Sequence, residues 1–148
     1  MMKFLIPLSV VSILFFSCNT NKNTPNYADA SFDVVIESSY GGKDEKSYEV
    51  IKSNSELEKA IQNMVFDEVI PSKLASIDFN KKMVVSLHSG LKNTGGYGIQ
   101  VKSVQVKGDT TVVTVLETSP GADAMVTMAL TNPYTIVIMD KNKKVLFK

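Results

Sequence analysis

The sequence predicts a β-rich α+β fold: a mostly antiparallel sheet or sandwich of seven to eight strands with one packed helix. Three observations predict it. Short runs rich in β-branched residues alternate with turn signals along most of the chain. One stretch alone has the periodicity of an amphipathic helix. Strands and helices do not alternate along the chain, which argues against a parallel sheet.

The predicted strands share β-branched content and flanking Gly, Pro, Asn or Asp residues. They are 32–38, 47–52, 82–89, 99–106, 110–117, 134–139 and 144–147. The short turn after the first strand predicts that the second runs antiparallel to it. The apolar phase changes between Ser103 and Val104, which indicates a β-bulge. Residues 125–130 are ambiguous between strand and helix.

One helix is predicted from Asn54 to about Phe66, on the following apolar face: Leu57, Ala60, Ile61 and Met64. Ser53 and Glu56 have the spacing of a capping box, which fixes the start of this helix. Pro71 excludes a continuation, so residues 67–78 are expected to form an irregular connection.

The amino-acid composition argues against several classes of function. A chain of 148 residues with 16 basic and 15 acidic side chains has no excess of either charge, and every basic residue is lysine. This argues against a nucleic-acid partner, which requires clustered basic charge. A single His and a single Cys exclude a multi-His zinc site, a Cys-cluster metal site and an internal disulfide. No metal or cofactor is expected.

The N-terminal residues have the pattern of an export signal. Lys3 precedes the uncharged run 4–16, which is too short to span a membrane but suits a signal peptide. Ser17 and Cys18 follow, and the whole resembles a bacterial lipoprotein signal. The resemblance implies a signal peptide over 1–17 and a lipidated Cys18. The alternative is an ordinary secretory signal with a chance Cys.

The rest of the chain divides into a tether and a domain. Residues 18–30 are polar and Asn-rich, so we expect a flexible tether, and 31–148 are expected to form one globular domain. A lipid on Cys18 would hold the protein to the outer membrane of a bacterial cell envelope. The periplasmic face is favoured, because no acidic cluster of the kind that resembles a surface-export signal follows the Cys.

The residues offer little for catalysis. His88 lies on a predicted strand, on the same face as Ser86. Two residues along a strand correspond to roughly 6 to 7 Å, too far for direct proton transfer. We therefore expect a solvent-facing, structural His88 and no enzyme activity.

A glycine-rich loop is the strongest candidate for binding. It comprises Asn93, Thr94, Gly95, Gly96 and Tyr97. Paired glycines permit close backbone approach, and the Tyr offers an amphipathic ring. One interpretation is a recognition loop with Tyr97 as its anchor. The other is a hairpin whose Tyr97 packs on the edge of its own core.

Four motifs in order carry a resemblance to a family. The loop at 93–98 between two strands is followed by the turn 108–109, the Ser-Pro-Gly element 119–121 and the Thr-Asn-Pro-Tyr element 131–134. Residues 78–147 thus resemble the C-terminal domain of the PrcB family, named for a subunit of a protease complex. The resemblance implies a secreted or lipid-anchored protein associated with proteases, and it assigns no catalytic residues.

A second likeness is shorter. Residues 93–97 are similar to one loop of the chagasin-type inhibitors of cysteine proteases, β-sandwiches that block a cleft with three loops. Asn132, Pro133 and Tyr134 are the counterpart of a second inhibitor loop and form a secondary candidate site. Three hypotheses follow: an accessory binding module for a protein partner such as a protease, a loop-based protease inhibitor, and a purely structural envelope protein.

Overall fold

Two four-stranded sheets and two short helices make up the part of the chain that the computed structural model describes, residues 26–62, 64 and 72–148. The front sheet has the order β1 (Ala28–Ala30), β5 (Gly98–Lys107), β6 (Thr110–Thr118), β8 (Lys144–Phe147). The back sheet has the order β2 (Phe32–Ser38), β7 (Tyr134–Asp140), β4 (Lys82–His88), β3 (Ser47–Ile51). The helices are α1 (Asn54–Ile61) and α2 (Ser72–Ala75). The predicted fold class is confirmed, and β6 with β8 is a parallel pair among antiparallel ones.

The strand partners in the back sheet follow from burial. Strands β2 and β3 run in opposite directions, as predicted, but they do not pair with each other. They form the two edges of the sheet, with β7 and β4 between them. Strand β4 is buried at nearly every position, and so is β7. Strands that are apolar on both faces take the centre of a sheet, since both faces are then covered.

The back sheet is covered on both faces. The side chains between the two sheets come from alternate positions of the strands: Met83, Val85, Leu87, Ile99, Val101, Val104, Val113, Val137 and Met139. On the opposite face, α1 packs against the sheet and forms a second cluster: Ile51, Leu57, Ala60, Met64, Leu74, Val84, Tyr134 and Ile136. The period-two alternation of strand side chains separates the two clusters.

Helix α1 begins as predicted and ends earlier. The Glu56 N–H donates to Ser53 Oγ at 3.2 Å, and Glu56 Oε2 accepts from the Lys52 N–H. The helix ends at Ile61, and the Met64 N–H donates to the Ile61 carbonyl at 3.0 Å. Met64 is buried in the cluster beneath the helix.

The bulge predicted in β5 is confirmed one to two residues earlier than expected. Val101 pairs with Val115 and Ser103 pairs with Thr114, so Lys102 is the extra residue. The inserted residue shifts the alternation, so that Val101 and Val104 both face the other sheet.

Two predicted irregular segments contain regular structure. Residues 28–30, at the end of the predicted tether, form β1 and pair with residues 104–106 of β5. Residues 72–75, predicted as part of an irregular connection, form the single turn α2, which buries Leu74. In both cases a partner distant in sequence supplies the stabilising contacts.

The sandwich has two distinct ends. We call the end with the Gly108–Asp109 turn the hairpin end; there the Lys107 ammonium lies 5.8 Å from the centre of the Tyr27 ring, so the chain enters the fold at this end. We call the opposite end, with segments 39–46, 89–97 and 119–133, the loop end. Residues 1–25, including Cys18, lie outside the described residues. Within the described ones, no helix is both long and apolar enough to cross a membrane.

Candidate functional site

His88 lies in the interior at the loop end, and the expectation of a solvent-facing His88 is wrong. Its side chain has no exposed surface. It stacks on Tyr134 with ring centres 6.0 Å apart, and its Nε2 lies 2.8 Å from Ser86 Oγ. The spacing of alternate strand residues describes their Cα atoms, but the two side chains lean along the strand and meet. The predicted separation of 6 to 7 Å is therefore also wrong.

The hydrogen bonds of His88 fix its tautomer. The backbone N–H of Lys43 donates to His88 Nδ1 at 3.2 Å. Because Nδ1 accepts this bond, the proton of the neutral ring lies on Nε2 and is donated to Ser86 Oγ. A nitrogen that donates to a serine hydroxyl is not its general base. The pKa of His88 is lowered from 6.5 to about 4: burial contributes most, the Lys43 charge also lowers it, and Glu49 opposes both.

Segment 39–46 covers His88. Gly42 lies so close that a Cβ there would be 2.5 Å from the Asn132 carbonyl oxygen and 3.3 Å from His88 Nδ1. The Gly41 and Gly42 N–H groups donate to the side-chain and backbone oxygens of Asn132, respectively. Asn132 thereby joins the segment to the start of β7, and the segment is held against the buried His88.

The glycine-rich loop is bound to the segment that follows β6. Lys92 and Thr131 exchange two backbone hydrogen bonds of 2.7 and 3.0 Å. Thr131 Oγ1 donates to the Thr94 carbonyl at 2.9 Å, and the Gly95 N–H donates to the Thr127 carbonyl at 3.0 Å. The two candidate loops of the sequence are therefore neighbours in the structure.

The paired glycines are required by this contact. A Cβ on Gly95 would collide with Thr127 Oγ1. Gly96 has a φ of +87°, and a Cβ there would lie 3.0 Å from Pro120 Cβ. Gly95 and Gly96 thus let segment 119–130 lie directly on the loop, which is the close approach that paired glycines permit.

The predicted site residues have different environments. Tyr97 is half-buried, with the Lys92 ammonium 5.4 Å from its ring centre. Asn93 is exposed, whereas Pro133 and Tyr134 are buried at the start of β7. Of the secondary candidate loop, only Asn132 reaches the surface, so Pro133 and Tyr134 are corrected to core residues. Pro133 also accepts the Ser89 N–H.

The most exposed apolar side chains at the loop end were missed by the sequence analysis. They are Met125, Met128 and Leu130, with relative exposures of 102%, 90% and 62%. We call these three side chains the apolar ridge. The signal in the sequence is the apolar segment 125–130, which is ambiguous between strand and helix. Where neither period is clear, the pattern assigns the apolar side chains to no core face.

The described residues contain no group of three or more His, Cys, Asp or Glu side chains that could hold a metal ion. The loop end carries backbone amides, hydroxyls, the Tyr97 ring beside Lys92, apolar side chains and charged side chains of both signs. Such groups bind other molecules through contact and hydrogen bonding.

Fold and site together define a class: a two-sheet β-sandwich with a helix on one face, whose connecting segments converge at one end. Residues 83–140 match the PrcB C-terminal family. The match extends from β4 to β7 and includes the glycine-rich loop and the apolar ridge. It lies within the range 78–147 on which the sequence resembles this family. No curated protein and no solved structure matches the chain.

Proposed function

We propose that this protein is a non-enzymatic, lipid-anchored binding module of the bacterial cell envelope, and that its loop end binds a protease. The observation that carries the proposal is the junction at the loop end. There the glycine-rich loop is hydrogen-bonded to the segment bearing the most exposed apolar side chains of the described residues. The match of residues 83–140 to a family named for a protease-complex subunit supports a protease as the partner.

The environment of His88 supports a non-enzymatic function. This buried imidazole donates to Ser86 and accepts from Lys43, so both ring nitrogens are occupied by the protein itself. A general base must be able to take a proton from a reacting group within reach of a substrate. His88 instead ties segment 39–46 to the back sheet.

The point at which the chain enters the fold supports a module attached by one end. The chain enters the fold at the hairpin end, where β1 pairs with β5. The tether therefore attaches at one end of the sandwich and the candidate binding surface lies at the other. In such a module the loops lie at the end of the sandwich farther from the attachment point.

Replacing the proposed lipidation site tests the anchor. Cys18→Ala is expected to move the protein from the detergent phase to the aqueous phase in a Triton X-114 separation, because acyl chains would be its anchor. Ser17→Ala is the matched control, because it keeps a small residue before the Cys and should leave the protein in the detergent phase. A Cys18→Ala variant that stays in the detergent phase would contradict lipid anchoring.

A panel of purified envelope proteases tests the partner class. The expected result is binding of at least one protease with no loss of its peptidase activity at equimolar concentration. The arrangement of three segments at one end of a sandwich favours a second candidate, a loop-based inhibitor of the chagasin type. Inhibition at near-equimolar dose would select that candidate, and absence of binding to every protease would reject both.

Truncating Tyr97 tests the glycine-rich loop. Tyr97→Ala is expected to weaken binding by about 2 kcal/mol, a roughly thirtyfold rise in Kd, as for an aromatic anchor at an interface. Binding is measured by titration and the free energy of unfolding by urea denaturation of the same variant.

Tyr27→Ala is the matched control, because Tyr27 is also half-buried beneath a lysine but lies at the hairpin end. If Tyr97→Ala loses about 3 kcal/mol of stability and binding per folded molecule is unchanged, the ring is part of the core and not an anchor.

A further inference from the structure

The apolar ridge contains the three most exposed large apolar side chains of the described residues. Met125 and Met128 are almost fully exposed, and Leu130 is more than half exposed. All three fall within six consecutive residues, and exposed apolar side chains that form a patch mark interaction sites. Leu91, 46% exposed, adjoins the ridge because Lys92 pairs with Thr131.

The backbone beneath the ridge is held in place. The Gly95–Thr127 hydrogen bond lies between Met125 and Met128, and the Lys92–Thr131 pair follows Leu130. A segment ordered in this way loses little conformational entropy on binding. Methionine side chains are unbranched and polarisable, so they adapt to an irregular apolar groove.

The length of the tether argues against the anchoring membrane as the surface to which the ridge binds. Seven residues lie between Cys18 and Asn26, so the two Cα atoms are eight steps apart and at most about 29 Å from each other. Strand β5 alone, with ten residues between the two ends of the sandwich, measures roughly 33 Å. Even a fully extended tether is therefore shorter than the sandwich, and the ridge lies at the end farther from the point where the chain enters the fold.

The charges beside the ridge also disfavour a lipid surface. Asp123 lies within the same segment, and Asp44, whose carbonyl accepts the Leu91 N–H, adds a second carboxylate. Lys92 is drawn over the Tyr97 ring. Helices and loops that bind membranes combine apolar side chains with basic ones, whereas segment 119–130, which bears the ridge, contains Asp123 and no basic residue.

We propose that Met125, Met128 and Leu130 insert into an apolar groove of the partner protein and form the centre of the binding interface. The inference rests on the proposed binding function and names the residues that carry it. In this arrangement the paired glycines serve the interface indirectly, by letting the ridge segment lie on the glycine-rich loop.

Photo-crosslinking in intact cells tests the inference with the full-length chain. A benzoylphenylalanine at position 128 is expected to form an adduct with a protein of another sequence. The same probe at position 34, where Val34 is 48% exposed on β2, is the control and should give at least tenfold less of that adduct. An adduct with phospholipid, an adduct with a second copy of the chain, or equal yields at both positions would overturn the proposal.

A double substitution separates this inference from the binding function. With the probe at the exposed position 93, Met125→Ser combined with Met128→Ser should lower the protein adduct at least tenfold. Thermal unfolding should be unchanged, since both side chains are solvated in the free protein. An undiminished adduct would overturn the role of the ridge and leave the binding function standing. Absence of any protein adduct from positions 93 and 128 would overturn both.

Discussion

Leu57→Asp is expected to lower the free energy of unfolding by about 3 kcal/mol or more. Leu57 is buried between α1 and the back sheet, in the cluster with Ile51 and Val84. The substitution removes the packing of a buried leucine, about 2 to 5 kcal/mol. It also places a carboxylate where the apolar cluster offers no ion partner, which adds a desolvation cost. Domains of this size have a free energy of unfolding of about 5 to 15 kcal/mol, so the substitution would remove a large fraction of it.

Glu58→Asp is the matched control for this substitution. It places the same residue at the next position of α1, on the exposed face, and should change the free energy of unfolding by less than about 0.5 kcal/mol. Urea denaturation followed by circular dichroism measures both variants. Equal stabilities of the two variants would show that α1 does not depend on its contact with the back sheet.

Acidification from pH 7 to pH 5 is expected to destabilise the protein by about 2 kcal/mol through His88 alone. The pKa of this imidazole is lowered from 6.5 to about 4 in the folded state, mainly by burial. Between these two values the unfolded chain binds a proton that the folded chain does not. The contribution of neutral His88 to the free energy of unfolding is therefore fully present above pH 6.5 and is lost as the pH falls towards 4.

The composition makes this measurement specific. His88 is the single histidine of the chain, and it is the side chain type that titrates near neutral pH. His88→Gln is expected to be less stable at pH 7, because its bonds to Ser86 and Lys43 are altered. Its free energy of unfolding should, however, change little between pH 5 and pH 7. Urea denaturation at both pH values gives the slope for each protein. Parallel slopes for the two proteins would refute a buried, neutral His88.

Sequence patterns that extend over a few residues predicted most of the secondary structure. The strand predicted at 110–117 is β6 (Thr110–Thr118), and the one at 134–139 is β7 (Tyr134–Asp140). Ser53 and Glu56 fixed the start of α1 by contacts within one helical turn. The resemblance to the PrcB C-terminal domain is confirmed over 83–140, since it too rests on motifs local to the chain.

The errors concern contacts between distant residues. The strand of three residues at 28–30 is too short for a pattern of its own, and it exists because β5 offers an edge for pairing. His88 is on the polar side of an alternating strand by sequence, yet that side is covered by segment 39–46, whose Lys43 lies 45 positions earlier. The alternation of a strand identifies two faces and does not say whether the second one is covered.

The sequence by itself determined the fold class, the bounds of most strands, the start of the helix and the close backbone approach at Gly95 and Gly96. These depend on side-chain periodicity, capping and glycine content, which act over a few residues. Only the tertiary structure decided which strands pair, that His88 and Tyr134 are interior, and that Met125, Met128 and Leu130 remain at the surface beside the glycine-rich loop. Burial is a property of what packs against a residue, and those partners come from the rest of the chain.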